Sequence, residues 1–302
     1  MNTSFSNERA EITLGNRMFA WLQYTLPHHL LSQGMYTLTR VEWPPLKDLL
    51  IRTAIRFYDI DMEEAQERNP RAYRSFNHFF TRALRPETRP LAKDDEAILC
   101  PADGTLSQIG TIEGGRIFQA KGHEYGLDEL LGGDAEWSSR FENGVFATIY
   151  LSPRDYHRVH MPFSGTLKKM IHVPGRLFSV NPGTTRTIPR LFARNERVVC
   201  LFDTEVGPMA VILVGAIFVA SIDTVWAGTV APRSRGTTAW PYGEPLPTIP
   251  LARGAEMGRF NMGSTVIVLF GRGKVEWDGA LRSETPLQMG EAIGRIEEGV
   301  WV

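Results

Sequence analysis

A change in the spacing of apolar residues near Ile98 constrains the fold of this chain more than any other sequence feature. Before this point, apolar side chains recur at helical spacing, whereas after it short β-branched runs alternate with Gly, Pro and Asn. We predict strands over residues 104–112, 145–151, 165–173, 198–202, 209–214, 216–222 and 265–269. The order of these patterns predicts an α+β protein whose helices come first and whose predominantly β part resembles a barrel or a sandwich.

A proline-punctuated stretch at residues 85–93 predicts the connection between two domains. We expect a helical region with its linker over residues 1–92 and a β-rich domain over residues 93–302. A chain of this length is sufficient for two hydrophobic cores. Within the helical part, Asp61 followed by Glu64 is typical of a capping box and predicts a further helix.

Aromatic residues are frequent in the predicted N-terminal helices, where Trp21, Tyr24 and Trp43 lie close to basic side chains. This composition suits helices that lie at a membrane interface, although packing against the protein's own core would also explain it. The longest uncharged run, residues 206–222, contains Gly and Pro and is shorter than the roughly 20 apolar residues of a spanning helix. We therefore predict no transmembrane segment.

Charge and cysteine content narrow the choice of partners and compartment. The formal net charge of -1 gives no argument for a nucleic-acid partner. Residues 154–197 hold nine Lys or Arg and two acidic residues, which favours an anionic partner such as phosphate or acidic lipid unless acidic residues elsewhere balance them. Cys100 and Cys200 have neither a metal-ligand spacing nor a disulfide framework, so we expect buried free thiols in a reducing compartment.

Three short stretches carry residues that could perform chemistry. Asp103 lies on an Asp-Gly turn, His157 and His160 follow a predicted strand, and Gly263-Ser264 precede another. Taken alone, the Gly-Ser step is typical of a turn. No cluster of acids or cysteines supplies further ligands to the two histidines, so we predict no metal site. An Asp, a His and a Ser would form a nucleophilic set if the fold brings them together, in whatever chain order.

Four stretches together resemble the bacterial phosphatidylserine decarboxylase proenzymes. Residues 260–265, Phe-Asn-Met-Gly-Ser-Thr, resemble the Leu-Gly-Ser-Thr processing site of that family. Residues 101–104 and 156–162 are similar to its other two signatures, and the aromatic stretch 76–82 also looks familial. The matches run from about residue 75 to the C terminus in the order of the family. Met262 replaces the usual leucine, a swap that conserves apolar volume.

The resemblance implies that the chain is a zymogen that cleaves its own backbone between Gly263 and Ser264. The Ser264 hydroxyl would attack the carbonyl carbon of Gly263, and His160, oriented by Asp103, would remove the hydroxyl proton. Elimination from the resulting ester would leave dehydroalanine. Hydrolysis of this dehydroalanine would release ammonia and leave a covalent pyruvoyl group in place of Ser264.

The resemblance also implies the products and the reaction of the mature enzyme. The products would be a β chain, residues 1–263, and an α chain, residues 264–302, which begins with the ketone. This ketone would form a Schiff base with the amine of phosphatidylserine, so that loss of CO2 yields phosphatidylethanolamine. His157 is the predicted proton donor, because the ordinary pKa of histidine lies near neutrality.

Further expectations concern the substrate site, the partners and the location. We expect Phe76, Tyr150 and Ser179 to line the substrate pocket of a catalytic domain formed by residues 93–302. The expected partners are phosphatidylserine in a membrane, the α and β chains of one precursor and a second copy in a homodimer, with no nucleic acid. We expect peripheral binding at the cytoplasmic side of the cell membrane. Two alternatives stay open: a pyruvoyl decarboxylase of a soluble amino acid, and a non-catalytic membrane-binding β module.

Overall fold

The computed structural model of the chain describes residues 14–120, 122–219, 221–231 and 236–297. Long helices come first in this described part, and the short helices that follow connect strands. The helices are α1 (Leu14–Thr25), α2 (His28–Thr39), α3 (Pro44–Tyr58), α4 (Phe76–Phe80), α5 (Leu127–Leu130), α6 (Ala135–Arg140), α7 (Pro182–Thr185) and α8 (Leu191–Arg194). Short 3-10 helices at Pro70–Ala72 and Pro86–Thr88 lie between the first helices and the strands.

Strands are the main regular elements of the described chain after residue 96. They are β1 (Ala97–Leu99), β2 (Gly104–Thr111), β3 (Arg116–Ala120), β4 (His123–Gly126), β5 (Val145–Leu151), β6 (Arg158–His160), β7 (Gly165–Val173), β8 (Arg197–Thr204), β9 (Gly207–Val214), β10 (Ile222–Thr224), β11 (Gly228–Ala231), β12 (Thr238–Pro241), β13 (Ile249–Leu251), β14 (Glu256–Phe260), β15 (Ser264–Phe270), β16 (Val275–Trp277), β17 (Pro286–Leu287) and β18 (Ala292–Ile296). The predicted mixed fold, with helices before strands, is confirmed.

One antiparallel sheet forms the centre of the molecule, in the strand order β12-β7-β8-β9-β15-β5-β2-β17, and β13 also pairs with β7. The central strand β15 is buried along its whole length and pairs with β5 on one side and β9 on the other. Its run of β-branched residues suits this position, because both faces of the strand pack against apolar side chains. The described strands form an open order with different ends, so the expectation of a barrel-like closure is wrong.

A smaller sheet, in the order β11-β10-β14-β6, supplies the strand that leads into the functional region. β14 pairs with β10 and with β6, and it ends at Phe260. The next strand, β15, begins at Ser264 and belongs to the large sheet. The three residues between them therefore carry the chain from one sheet to the other.

Helix α3 shows how the early part of the chain is built. It begins with two prolines in its first turn, where a missing N–H costs no helical hydrogen bond. It ends at Asp59, whose left-handed backbone (φ 53°) lets its N–H donate to the carbonyl oxygen of Ile55. Ile51, on its buried face, packs in a small apolar cluster that also contains Tyr73 and Phe79.

The first three helices leave large apolar side chains exposed. Trp21, Leu30 and Phe57 are 70%, 69% and 77% exposed, respectively. Other side chains of the same helices are buried against the protein, as Gln23 shows by accepting a hydrogen bond from the backbone N–H of Ser179. Within the ranges given above, none of the helices has the length and hydropathy needed to cross a membrane.

Two predicted elements differ from the structure. The strand predicted over residues 216–222 is not found in the described part of that range, because β10 begins only at Ile222 and Ala216, Ile217 and Phe218 line an apolar cavity. An apolar run has the same pattern whether it packs in a sheet or lines a cavity. In the described chain no helix begins at Asp61; Glu64 instead binds the guanidinium group of Arg89 at 2.8 Å.

The basic stretch 154–197 is largely neutralised by partners. Arg158 donates to the Glu256 carboxylate at 2.8 Å, and the buried Arg197 guanidinium donates to four backbone carbonyl oxygens. Further ion pairs are Lys168–Asp203, Lys169–Asp134, Arg186–Glu284 and Arg190–Glu129. These contacts favour the alternative in which acidic residues balance the local charge.

Candidate active site

Gly263 ends the turn between β14 and β15 and Ser264 begins β15, and together they form the predicted cleavage site. Ser264 lies opposite Leu151 of β5 in the strand register, and its side chain is fully buried. Among the residues that the structure describes, its hydroxyl oxygen has no hydrogen-bond partner. A buried hydroxyl without a partner costs free energy, so it is uncommon in a turn that has only a structural role.

His157 lies beside this turn. Its Nδ1 is 2.8 Å from the carbonyl oxygen of Asp155, and because a carbonyl only accepts, Nδ1 carries the proton and Nε2 has the free lone pair. Nε2 is buried and has no partner within the described ranges. A Cβ atom built on Gly263 would lie 4.0 Å from Nε2, and the ring packs on Phe80 at a centroid distance of 4.1 Å.

The environment of His157 keeps its ring uncharged. Burial lowers the pKa of His157 to about 3, because the imidazolium would lose its hydration. The hydrogen bond to Asp155 raises this pKa and the Arg82 cation lowers it further. The neutral ring can accept a proton at Nε2 near pH 7, and it can donate one there only after taking one up.

An apolar cavity of about 200 Å³ opens onto the turn. The three residues predicted to bind substrate, Phe76, Tyr150 and Ser179, all line this cavity together with Gly263 and Ser264. The other lining residues are Ala54, Tyr58, Ile60, Phe80, Leu151, Pro153, Val180, Ala216, Ile217, Phe218 and Met262. The structure thus brings these three residues together with the predicted cleavage site, and their part in substrate binding remains a prediction.

Asp103 lies in a separate, charged cluster. Arg89 donates to both of its carboxylate oxygens at 2.6 to 3.0 Å, and the backbone N–H of Met289 donates to Oδ1 at 2.8 Å. Arg89 also donates to both carboxylate oxygens of Glu64. Burial lowers the pKa of Arg89, but the hydrogen bonds to Asp103 and Glu64 raise it above its usual value. The Asp103 carboxylate is therefore firmly paired.

His160, at the end of β6, has both ring nitrogens bonded. Nδ1 donates to the carbonyl oxygen of Gly254 at 2.8 Å, and the Tyr156 hydroxyl donates to Nε2 at 3.1 Å. No hydrogen bond in the described structure joins His160 to Asp103, although the backbone N–H of His160 donates to the carbonyl oxygen of Pro101 at 2.8 Å. The roles predicted for Asp103 and His160 in self-cleavage remain predictions.

The structure adds residues that the sequence did not single out one by one. Phe80 and Arg82 lie in the aromatic stretch 76–82, so the resemblance of that stretch was the available signal. The sequence singled out Glu64 only as part of a capping box, and its pairing with Arg89 had no signal, since an ion pair between residues 25 positions apart leaves no periodic pattern.

Comparison with known proteins identifies the family. A family model described as phosphatidylserine decarboxylase matches residues 76–295, and one described as PSD matches residues 18–59. A phosphatidylserine decarboxylase proenzyme from Bordetella avium (strain 197N) is 57% identical over 282 residues, which cover 93% of this chain and 96% of the relative. A protein of the same name from Pseudomonas aeruginosa (strain LESB58) is 58% identical over 281 residues, covering 92% and 96%. The chain therefore belongs to the phosphatidylserine decarboxylase family, as its motifs predict.

Proposed function

We propose that this chain matures by cleaving its own backbone between Gly263 and Ser264 and then converts phosphatidylserine into phosphatidylethanolamine. One observation carries the proposal: Ser264 Oγ and His157 Nε2, both buried and without hydrogen-bond partners among the described residues, lie at the same peptide bond. The hydroxyl has no hydrogen bond within the described structure to hold it back from the adjacent glycine carbonyl, and the neutral imidazole beside the same bond can exchange a proton with a substrate bound there. Family membership supplies the reaction, since the relatives are named phosphatidylserine decarboxylase proenzymes.

Self-cleavage uses only groups of this chain. Ser264 Oγ attacks the carbonyl carbon of Gly263, so that the C–O bond forms, the C–N bond breaks and a base carries the hydroxyl proton to the released amine. Removal of the Cα proton of Ser264 then expels the Gly263 carboxylate and leaves dehydroalanine. Addition of water and loss of ammonia convert this residue into a pyruvoyl group.

We assign the two histidines to different proton transfers. His160, with Asp103, would serve self-cleavage, and His157 would serve decarboxylation. Burial lowers the pKa of His160, and the hydrogen bond to Gly254, the charge of Glu256 and, least of all, the charge of Asp103 counteract this lowering. The backbone N–H of His160 also donates to the carbonyl oxygen of Pro101, two residues before Asp103, which supports the pairing of the two residues. The position of His157 Nε2 beside Gly263 supports the second assignment. To act as a base at Nε2, His160 must first lose the hydrogen bond that it accepts from Tyr156.

The residues around Ser264 fit a pyruvoyl group formed in place. Ser264 is held by its register opposite Leu151 and lies on the cavity that Tyr150 and Ser179 also line. When formed, the group supplies a ketone that binds the substrate amine covalently and takes up the electrons left by the departing CO2. The apolar lining excludes water, and His157 exchanges a proton at Nε2.

We propose peripheral attachment to the cytoplasmic side of a membrane through α1–α3. The exposed Trp21, Leu30 and Phe57 would enter the lipid interface. Tyr58, which follows Phe57, lines the cavity at Ser264, so attachment through this surface would bring a lipid headgroup close to the cleavage site.

Flotation with vesicles that contain phosphatidylserine tests the attachment. The protein should float with the vesicles, and replacing Trp21 and Phe57 with Ser should abolish flotation while self-cleavage continues. A parental protein that stays at the bottom of the gradient would support the decarboxylase of a soluble amino acid instead. A homodimer is a separate proposal, which sedimentation of the detergent-solubilised protein would test.

Intact mass and turnover test the proposed function directly. We expect two chains, residues 1–263 and residues 264–302, the second without a free amino terminus, and CO2 release from phosphatidylserine. Ser264→Ala should yield one uncleaved, inactive chain, whereas Ser283→Ala, at an exposed serine, should mature normally. A parental protein that remains one chain would overturn self-cleavage and support a non-catalytic membrane-binding module.

A further inference from the structure

Met262, the residue before the cleavage-site glycine, has a backbone conformation that side-chain-bearing residues rarely adopt. Its φ is +105°, in a region that is favourable mainly for glycine. Such conformations cost free energy and persist only where the surrounding structure fixes the backbone on both sides. The contacts on both sides of Met262 meet this condition.

On the upstream side, Asn261 is held by a set of hydrogen bonds that continues the pairing of β14 with β10. Its backbone N–H donates to the carbonyl oxygen of Ser221 at 2.9 Å, and its Nδ2 donates to Ser221 Oγ at 2.7 Å. Its Oδ1 accepts from Asn77 Nδ2 at 2.9 Å. Arg40, at the end of α2, donates to the same Ser221 hydroxyl at 3.2 Å. The Asn261 side chain is buried, so water does not replace these bonds.

On the downstream side, Ser264 and Thr265 are fixed by the large sheet. Ser264 pairs with Leu151, and Thr265 pairs with Tyr150 on one strand and with Val214 on the other. Only two residues, Met262 and Gly263, connect Asn261 to this strand. Because only two residues connect these two fixed positions, the backbone of Met262 is held at a positive φ.

We propose that Asn77, Ser221 and Asn261 form a clamp that holds Met262 in its strained conformation, and that release of this strain accelerates cleavage at Gly263–Ser264. This inference rests on the proposed self-cleavage. The clamp residues act through Met262, so they are positioning residues and not catalytic ones.

The chemistry of the acyl shift explains how cleavage releases the strain. In the peptide, two bonds separate the carbonyl carbon of Gly263 from Cα of Ser264. In the ester, the path runs through Oγ and Cβ and contains three bonds, so the connection between the fixed positions becomes longer. Once the chain is cut, Met262 and Gly263 are attached at one end only, and the backbone of Met262 can relax.

Met262→Gly tests the clamp because it removes the conformational cost without touching the nucleophile. We expect self-cleavage of this variant to be about 5- to 150-fold slower, since the precursor loses strain of the size found for such conformations. In a Ser264→Ala background, where the precursor accumulates, the same substitution should raise the midpoint of thermal unfolding. A merely structural role of Met262 would give slower cleavage together with a less stable precursor.

Two further variants complete the experiment. Glu284→Gly makes the same kind of change at another residue with positive φ (74°), on an exposed loop, and should leave the cleavage rate unchanged. Asn77→Ala removes one bond of the clamp and should slow cleavage without stabilising the precursor.

The outcomes separate the clamp from the proposed function. Slower cleavage of a more stable Met262→Gly precursor supports the clamp. Cleavage at or above the parental rate, or a precursor that is no more stable, overturns it. A parental chain that never cleaves overturns the proposed self-cleavage, whatever Met262 does.

Discussion

The two clusters of polar residues near β6 differ in whether their buried polar atoms have hydrogen-bond partners. At the turn, Ser264 Oγ and His157 Nε2 are buried without hydrogen-bond partners within the described structure. In the charged cluster, Arg89 donates to Asp103 and to Glu64 in bidentate pairs. Unpaired buried polar atoms cost stability, whereas paired ones specify the fold. The contrast is the one expected if the first cluster serves reactivity, whereas in the second the pairing of Asp103 with Arg89 also holds the surrounding segments in place.

The same chain segment lies between the two clusters. Tyr58 and Ile60 line the apolar cavity at the turn, whereas Asp59 and Asp61 line a charged cavity of about 240 Å³ beside Asp103. Residues 58–61 thus contribute to both cavities in turn, where the chain leaves helix α3 through the left-handed Asp59. Because both clusters contact this segment, the effects of substitutions in one cluster can be compared with the effects of substitutions in the other.

The largest expected effect is on turnover when His157 is replaced. His157→Ala should still cleave at Gly263–Ser264 but lose decarboxylation by about 10²- to 10⁴-fold, the usual contribution of a general acid or base. Intact mass and CO2 release measure the two effects, and His123→Ala, outside the site, is the control. An uncleaved His157→Ala chain would show that the unpaired His157 is the base of self-cleavage and that the division between the histidines is wrong.

The paired cluster should show its largest effect in stability. Asp103→Asn leaves the Arg89 cation partly uncompensated in a buried position, which should cost about 3–5 kcal/mol of unfolding free energy. Asp103→Ala should in addition block self-cleavage. Urea unfolding in the Ser264→Ala background measures the first effect, with Asp203→Asn, whose ion pair with Arg140 is exposed, expected to cost at most about 1 kcal/mol. Equal costs for the two substitutions would remove the distinction between the clusters.

The lowered pKa of His157 predicts a pH dependence of stability. Between its ordinary value of about 6.5 and the folded value of about 3, the unfolded chain binds a proton that the folded chain does not. The part of the unfolding free energy that comes from His157 therefore has its full value above pH 6.5. It falls as the pH decreases toward 3, by up to roughly 1.4 kcal/mol per pH unit. In the Ser264→Ala background, His157→Phe should show a shallower slope between pH 6.5 and pH 4. Parallel slopes would contradict a neutral, buried His157.

The smallest expected effect concerns the bond between Tyr156 and His160. Tyr156→Phe removes the hydroxyl that donates to His160 Nε2 and should cost about 0.5–1.5 kcal/mol of stability. Because the substitution frees the nitrogen that would act as a base, self-cleavage should not slow. Timed gels of the maturing protein measure this rate, and a marked loss of cleavage would instead give the Tyr156 hydroxyl a part in the reaction.

The strands and the site residues could be predicted from the sequence to different extents. Six of the seven predicted strand runs correspond to strands, because alternation and β-branched residues reflect burial in a sheet. The apolar run at residues 216–222 could not be distinguished from a strand by its sequence, since an apolar cavity and a sheet select the same residue types. The helix expected after Asp61 failed because Glu64 binds Arg89, a tertiary contact that local capping patterns do not contain.

The order of helices and strands and the family follow from local residue patterns, and the same patterns predict the Gly263–Ser264 step. Which histidine lies beside that step depends on long-range packing, which those patterns do not contain. Residues three apart in extended backbone point to opposite faces, so His157 meets Gly263 while His160 bonds Gly254. The strained backbone of Met262 is also a tertiary result, since it requires that two sheets fix the chain on both sides of two residues.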